Sequence, residues 1–283
     1  MQVKQKQARE KIIQQLQRQV DELTAENLLL QEQLARKEQY TAMIAHELRG
    51  PLSPIINYAQ MLARQLRPSQ GEPETEQQKS RKHEVLQRNT NIIISQARRL
   101  SRLVNDLLDT SRLASGQFTL LRNTCDIVAL IQEVIEQLRP VAPYHSFAAE
   151  VPTEPLFGNW DSGRLQQVLG NLLDNAIKYS DEHTTITVNA QQVGQMVRIS
   201  VHNQGTSIPS TDIGQLFRPY TRLQAASTRE GSGLGLYIAR SIIEAHGGTL
   251  RLEPHGDEDE GESTKGTTFT FELPLERNVN GTH

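Results

Sequence analysis

The sequence holds a single cysteine, Cys125, so neither an intramolecular disulfide nor a cysteine-based zinc site can be built from it. Nowhere do about 18 apolar residues follow one another, the length a membrane-crossing helix needs. The polar opening MQVKQKQARE lacks the apolar centre of a secretory leader. A cytoplasmic chain in a reducing compartment, with no membrane insertion, is expected. Aromatic residues are only 5% and do not interleave with basic clusters, which leaves no stacking platform for single-stranded nucleic acid. Positive charge is not in excess either. Against 30 Lys and Arg stand 33 Asp and Glu, a formal net charge of -3, so no field grips a phosphate backbone. What the 283 residues do offer is room for about two ordinary domains.

Apolar or special residues fall at Ile13, Leu16, Val20, Leu23, Asn27, Leu30 and Leu34, in alternating steps of three and four. This is the heptad of a coiled coil, and Asn27 takes an a position, where a buried amide selects a parallel, in-register pair at a cost in stability. The repeat continues into Thr41, Ile44 and Leu48. It is expected to shift by one near Pro51 and run on through Leu52, Ile55, Ala59, Leu62 and Leu66. The polar stretch from Arg67 to Ser80, with Pro68, Gly71 and Pro73, reads as a loop. Beyond it Leu86, Ile93, Leu100 and Leu107 recur every seven residues, which predicts a returning helix to about Leu113. One such hairpin leaves apolar surface open, whereas two close a four-helix bundle, so a homodimer is expected.

After Ser115 and Gly116 the seven-residue repeat stops, and short strands mix with helices in an α+β sandwich. Strands are predicted at Phe118 to Leu121, Ser146 to Val151, Thr184 to Ala190, Met196 to His202, Thr249 to Leu252 and Thr267 to Leu273. Helices are predicted at Ile127 to Leu138, Ser162 to Tyr179 and Leu234 to His246. The expected division is a coiled-coil helix at 1–40, a helical hairpin at 41–115, a catalytic domain at 116–275 and a tail at 276–283.

Within the heptad, Thr41 is a and Ile44 is d, which makes His46 an f position facing solvent. Glu47 follows it and can hold one ring nitrogen protonated, leaving the other as a neutral nucleophile. Pro51 and Pro54 withhold helix donors just beyond, and a bend is expected there. The segment MIAHELRGPLSPI, from Met43 to Ile55, resembles the phosphoacceptor box of histidine kinases, His-Glu-Leu-Arg-Thr-Pro-Leu, and departs from it at Gly50. The resemblance implies that His46 accepts a γ-phosphoryl group and that Glu47 acts as base. It also implies a role for the position of Gly50 in dephosphorylating a partner, and glycine has no side chain to offer for it.

On the predicted helix RLQQVLGNLLDNAIKYS, the residues Leu165, Val168, Leu169, Leu172 and Ala176 share one face, and Asn171, Asn175 and Lys178 lie on the opposite one. The run NLLDNAIKYS resembles the N box of the ATPase superfamily that histidine kinases share with gyrase. That likeness implies Asn175 as a Mg²⁺ ligand, Asn171 in the phosphate and metal shell, Lys178 on phosphate and Tyr179 near adenine. GSGLGL, from Gly231 to Leu236, supplies glycines where backbone must approach phosphates and a helix must then begin. It resembles the second glycine box, which brings Gly231, Gly233, Leu234, Gly235 and Leu236 into an ATP site. LFRPYTR, from Leu216 to Arg222, resembles the phenylalanine box, and Arg222 and Arg229 would reach phosphates from a mobile lid.

VHNQGTSIP, from Val201 to Pro209, stands where the family has Asp-x-Gly-x-Gly-Ile, with Asn203 for the aspartate, Gly205 retained and Ser207 for the second glycine. An asparagine still accepts a hydrogen bond from the adenine amino group, as a neutral acceptor. The whole resemblance runs from about residue 41 to 275. It implies a kinase that uses ATP and Mg²⁺ to phosphorylate itself on His46, then passes the group to an aspartate of a response-regulator receiver domain. Two rivals are a kinase-dead scaffold, suggested by Asn203 and Ser207, and a different ATPase of the superfamily, which would have no use for the acceptor hairpin.

Overall fold

The computed structural model describes residues 2–66, 75–205, 207–221, 232–253 and 266–275. The chain forms two compact units, Met1–Ser101 and Arg102–His283.

In the first unit, helix α1 spans Gln2–Gln65 and carries Pro51 and Pro54 inside it, and helix α2 spans Glu76–Ala114. The sheltered positions of α1 include Ile44, Leu48, Pro51, Ile55, Tyr58 and Leu62 at steps of three and four, with Met43, Glu47, Pro54 and Gln65 beside them. Within the single chain, Pro51 and Tyr58 are thus sheltered where the expected shift would put Leu52 and Ala59. The pyrrolidine ring of Pro51 and the ring of Tyr58 are apolar enough to hold seam positions themselves, while Leu52, Ala59 and Leu66 face outward. On α2 the sheltered stripe takes in Leu86, Asn89, Ile93, Leu100, Leu103 and Leu107. Leu52, Ile56 and Met61 on α1 and Val85 and Ile94 on α2 stay exposed. Leu16, Val20, Leu23, Leu30 and Leu34 of the coiled-coil repeat are exposed as well.

The second unit begins in the last turns of α2 and continues into a sandwich. Strand β1 (Asn123–Asp126) leads directly into α3 (Ile127–Leu138), followed by β2 (Ser146–Glu150) and β3 (Phe157–Trp160). Helix α4 (Ser162–Tyr179) precedes the hairpin of β4 (Thr185–Val193) and β5 (Met196–Asn203). A short α5 (Ile213–Leu216), then α6 (Gly235–Ala245), β6 (Thr249–Leu252) and β7 (Thr267–Pro274) complete it. The main sheet has the order β2-β4-β5-β7-β6, parallel at β2-β4 and antiparallel elsewhere, while β1 and β3 pair in a separate ribbon. Phe118 to Leu121 is not a strand. Its place in the ribbon is taken by Asn123–Asp126, and Leu121 instead gives its N–H to the Asp161 carboxylate at 2.8 Å.

Asparate caps start two of the helices. Asp126 accepts from the Val128 N–H, and Asp161 accepts from the Arg164 N–H, both at 3.0 Å. Helix α4 buries Leu165, Val168, Leu169, Leu172, Leu173 and Ala176, the spacing of one helical face. That face meets the inward stripe of β5, Val197, Ile199 and Val201, and α6 lies alongside with Ile238, Ala239, Ile242 and Ile243. His246, 1% exposed at the end of α6, ties the layers together. Its Nδ1–H donates to the Ile242 carbonyl at 2.8 Å, and its Nε2 accepts from the Asp161 N–H at 3.0 Å. Burial holds its pKa below the ordinary value, which keeps the ring in this neutral form.

Candidate nucleotide site and phosphoacceptor histidine

With its apolar face buried, α4 turns Asn171, Asn175 and Lys178 to the opposite side, and the two asparagines find different uses. The Asn171 Nδ2 donates to the Gly235 carbonyl at 3.0 Å, so this residue fastens α4 to the first turn of α6. Asn175, one turn further on, is half-buried and its side chain makes no hydrogen bond to any described residue. Lys178 pairs with Asp174 one turn back on the same helix.

The start of α6 is shaped by close backbone approach. Gly233 has φ of 67°, and a Cβ there would lie 2.8 Å from the Thr221 carbonyl oxygen. Glycine is required on both counts. The Tyr220 N–H donates to the Gly233 carbonyl at 3.0 Å, which joins the phenylalanine-containing segment to the glycine run. Leu234 caps α6 without any side-chain hydrogen bond to the first turn, so the helix begins with donors that no cap consumes. Leu236 packs against the core. Arg222, Arg229 and Gly231 lie outside the described residues.

Beyond the end of β5, Gly205 pairs across an isolated bridge with Ser180, and a Cβ on Gly205 would sit 2.1 Å from the Tyr179 carbonyl oxygen. Asn203 is the last inward residue of β5 and is 3% exposed, yet its Nδ2 has no partner. The Ser180 hydroxyl is likewise buried and unpaired. Ser207, the departure from glycine, is not at positive φ and donates its hydroxyl to the Gly266 carbonyl at 3.4 Å, so it brings no backbone strain. Two orphaned polar atoms, a free amide and an uncapped helix start are what a polar, phosphate-bearing ligand would complete.

His46 stands exposed on α1, next to the half-buried Glu47. Adjacent helix positions are about 100° apart, so the two side chains leave α1 in different directions.

Two family descriptions match this arrangement. Residues 36–116 match the "His Kinase A (phospho-acceptor) domain", and residues 160–277 match the "Histidine kinase-, DNA gyrase B-, and HSP90-like ATPase". The chain carries the phosphoacceptor and ATPase domains found together in histidine kinases. It is 32% identical over 243 residues to the sensor histidine kinase WalK of Bacillus subtilis, covering 84% of this chain and 36% of WalK. To the adaptive-response sensory kinase SasA of Synechocystis it is 32% identical over 251 residues, covering 88% of this chain and 62% of SasA. The chain thus spans roughly a third to two thirds of these relatives. Among solved structures it is similar to histidine kinase ThkA in complex with the response regulator protein TrrA, with TM-score 0.55, 26% identity, and 87% of this chain and 64% of that one covered. It is also similar to full-length ShkA in complex with AMPPNP, with TM-score 0.54, 28% identity, and 84% and 45% covered. Among the described residues no helix is long and apolar enough to cross a membrane.

The chain also contains a polar cluster that pattern reading passed over. The Asp109 carboxylate, near the end of α2 and 4% exposed, accepts from Arg164 Nη1 at 2.6 Å and from Gln167 Nε2 at 2.9 Å. Arg164 also lies over the Phe118 ring at 4.9 Å. The Arg164 and Gln167 side chains belong to α4, so the last turns of α2 are fastened to the helix that carries the N box. The available signal was a pair of aspartates, Asp106 and Asp109, beside an otherwise apolar stripe.

Burial, followed by the neighbouring Asp109 charge, pushes the Asp106 carboxyl from 3.8 up to about 6, against the pull of Arg102, Gln167 and Lys178. A carboxyl raised on folding contributes stability below its unfolded value and loses it as pH rises through about 6. Asp106→Asn is therefore expected to stabilise the protein at pH 7 by up to about 3 kcal/mol, shrinking to about half by pH 5. Thermal denaturation at the two pH values checks this, and an equal gain at both would contradict it.

Proposed function

We propose that this chain is the catalytic part of an ATP-dependent protein histidine kinase that phosphorylates itself on His46 and passes the phosphoryl group to an aspartate of a response-regulator receiver domain. Residues 41–115 would serve as the dimerising phosphotransfer hairpin and 116–275 as the nucleotide-binding domain, with 1–40 as the coiled-coil lead-in. The apolar side chains that the hairpin leaves exposed, the neighbouring pair Leu52 and Ile56 among them, support a second copy of the chain as their cover.

The observation that carries the reading is the junction of α4 and α6. There Asn171 ties α4 to Gly235 at the uncapped α6 N-terminus, and Asn175 one turn along α4 has no side-chain partner among the described residues. Backbone N–H groups at the α6 start would cradle the phosphates of ATP, with Lys178 in reach of the same oxygens. Tyr179 and Asn203 would flank the base, and Arg222 and Arg229 would close over the phosphates. Asn175 would hold Mg²⁺, which when bound offsets phosphate charge and needs few protein ligands. That demand fits a chain with no group of three or more His, Cys, Asp or Glu side chains placed to hold a metal among the described residues.

In the reaction, a neutral ring nitrogen of His46 attacks the γ-phosphorus in line. The N–P bond forms as the bond from the γ-phosphorus to the β–γ bridging oxygen breaks, and ADP departs. Glu47 orients the imidazole and takes the proton from its other nitrogen. A carboxylate oxygen of the receiver aspartate then attacks the phosphorus, the P–N bond breaks, and the ring regains a proton to leave as neutral imidazole while the aspartate carries the acyl phosphate.

Asn175→Ala is expected to remove Mg²⁺-dependent nucleotide binding, since the helix face loses its one uncommitted amide. Calorimetric titration with ATP, with and without Mg²⁺, is the check. An ATP affinity in Mg²⁺ unchanged from wild type would refute the assignment.

A further inference from the structure

The polar end of β5 bears on which nucleotide the site accepts, if the pocket is the nucleotide site proposed above. Along β5 the inward positions Val197, Ile199 and Val201 are sealed at 0–1% exposure, and the next inward position is Asn203. An amide in line with that apolar stripe is costly unless something pairs with it, and its Nδ2 has no partner. A purely structural asparagine at a strand end would spend its side chain on neighbouring backbone. This one makes no side-chain hydrogen bond to any described residue. Two residues along the strand direction, Gly205 pairs with Ser180, whose hydroxyl is also buried and unpaired. Two unsatisfied polar groups thus cluster at the wall expected to face the base.

The chemistry of the side chain then sets what it can read. An ionised carboxylate presents acceptors only. An amide presents an acceptor at one end and two donors at the other, and a half-turn of its terminal torsion exchanges them without moving the backbone. The purines differ at the matching place, because adenine carries a 6-amino donor and hypoxanthine and guanine carry a 6-oxo acceptor. An aspartate at position 203 would favour the amino group and repel the oxo group. An asparagine pairs with either, and a 6-oxo group would satisfy the donor that is orphaned here.

We infer that Asn203 makes this a dual-purine site, accepting from a 6-amino group or donating to a 6-oxo group, so that 6-oxopurine nucleoside triphosphates bind alongside ATP. This rests on reading the pocket as a nucleotide site, and the test separates the two ideas. Inosine triphosphate differs from ATP at the 6-position and its coupled ring proton and lacks the 2-amino group of GTP, so it isolates the contact. Calorimetry with Mg²⁺ on the full chain should place inosine triphosphate within about tenfold of ATP for wild type. Asn203→Asp should then raise the preference for ATP over inosine triphosphate by about tenfold or more. A preference that moves by less overturns the inference while leaving ATP binding intact. If neither nucleotide binds wild type, the nucleotide reading itself fails. Should Asn203→Asp not fold, the wild-type ratio decides: within about tenfold supports dual reading, and a larger gap overturns it.

Discussion

Replacing His46 with glutamine is expected to abolish incorporation of ³²P from [γ-³²P]ATP while leaving ATP affinity unchanged. Glutamine keeps helix propensity and polarity at an exposed position, so α1 is not disturbed. What disappears is the nucleophile, and loss of a nucleophile commonly costs more than about 10⁴-fold because no neighbouring group substitutes for it. Scintillation counting of the purified variant beside wild type measures the effect, with calorimetry confirming that ATP still binds. Label that persists in the variant would move the acceptor elsewhere.

The second large effect concerns stability. Arg164→Ala is expected to destabilise the fold by about 3 kcal/mol, because it leaves the Asp109 carboxylate buried with its charge uncompensated. Asp109 is only 5% exposed in its side chain, and its remaining partner, Gln167, is neutral. The arginine also loses its stacking on Phe118. Asp109→Asn in the Arg164→Ala background should recover part of the loss, since the stranded charge is then gone. Urea denaturation of the two variants gives the answer. A loss of only the few tenths of a kcal/mol typical of exposed ion pairs would mean that Asp109 is solvated.

The helices were legible in the sequence to the residue at α3 and α4, because apolar spacing and an aspartate cap coincide at both. The strands of the main sheet emerged within a few residues for the same kind of reason, alternation bounded by polar turns. The ribbon of Asn123–Asp126 with Phe157–Trp160 was not readable. Its strands are four residues long and held by pairing between segments distant in sequence. Pro51 was taken as an interruption of the α1 repeat, whereas within the chain it fills a buried position itself.

At the site, residue types pointed to the face of Asn171, Asn175 and Lys178, yet the tie from Asn171 to the Gly235 carbonyl spans 64 positions and no local pattern encodes it. The same holds for Asp109 with Arg164, 55 positions apart. Gly233 is a contrasting case, since a glycine run before a helix already implies close backbone approach, and its positive φ and its contact with Thr221 follow.

The central claim is that the γ-phosphoryl group resides on the His46 ring. Tandem mass spectrometry of protein incubated with Mg-ATP and digested with trypsin at neutral to mildly alkaline pH tests it most directly. The peptide Glu38–Arg49 contains His46 together with Tyr40 and Thr41, so fragment ions must place the added mass. The account predicts phosphate on His46, lost after brief acid treatment. Phosphate on Tyr40, Thr41 or any serine that survives acid, or no phosphorylated peptide at all, would contradict it.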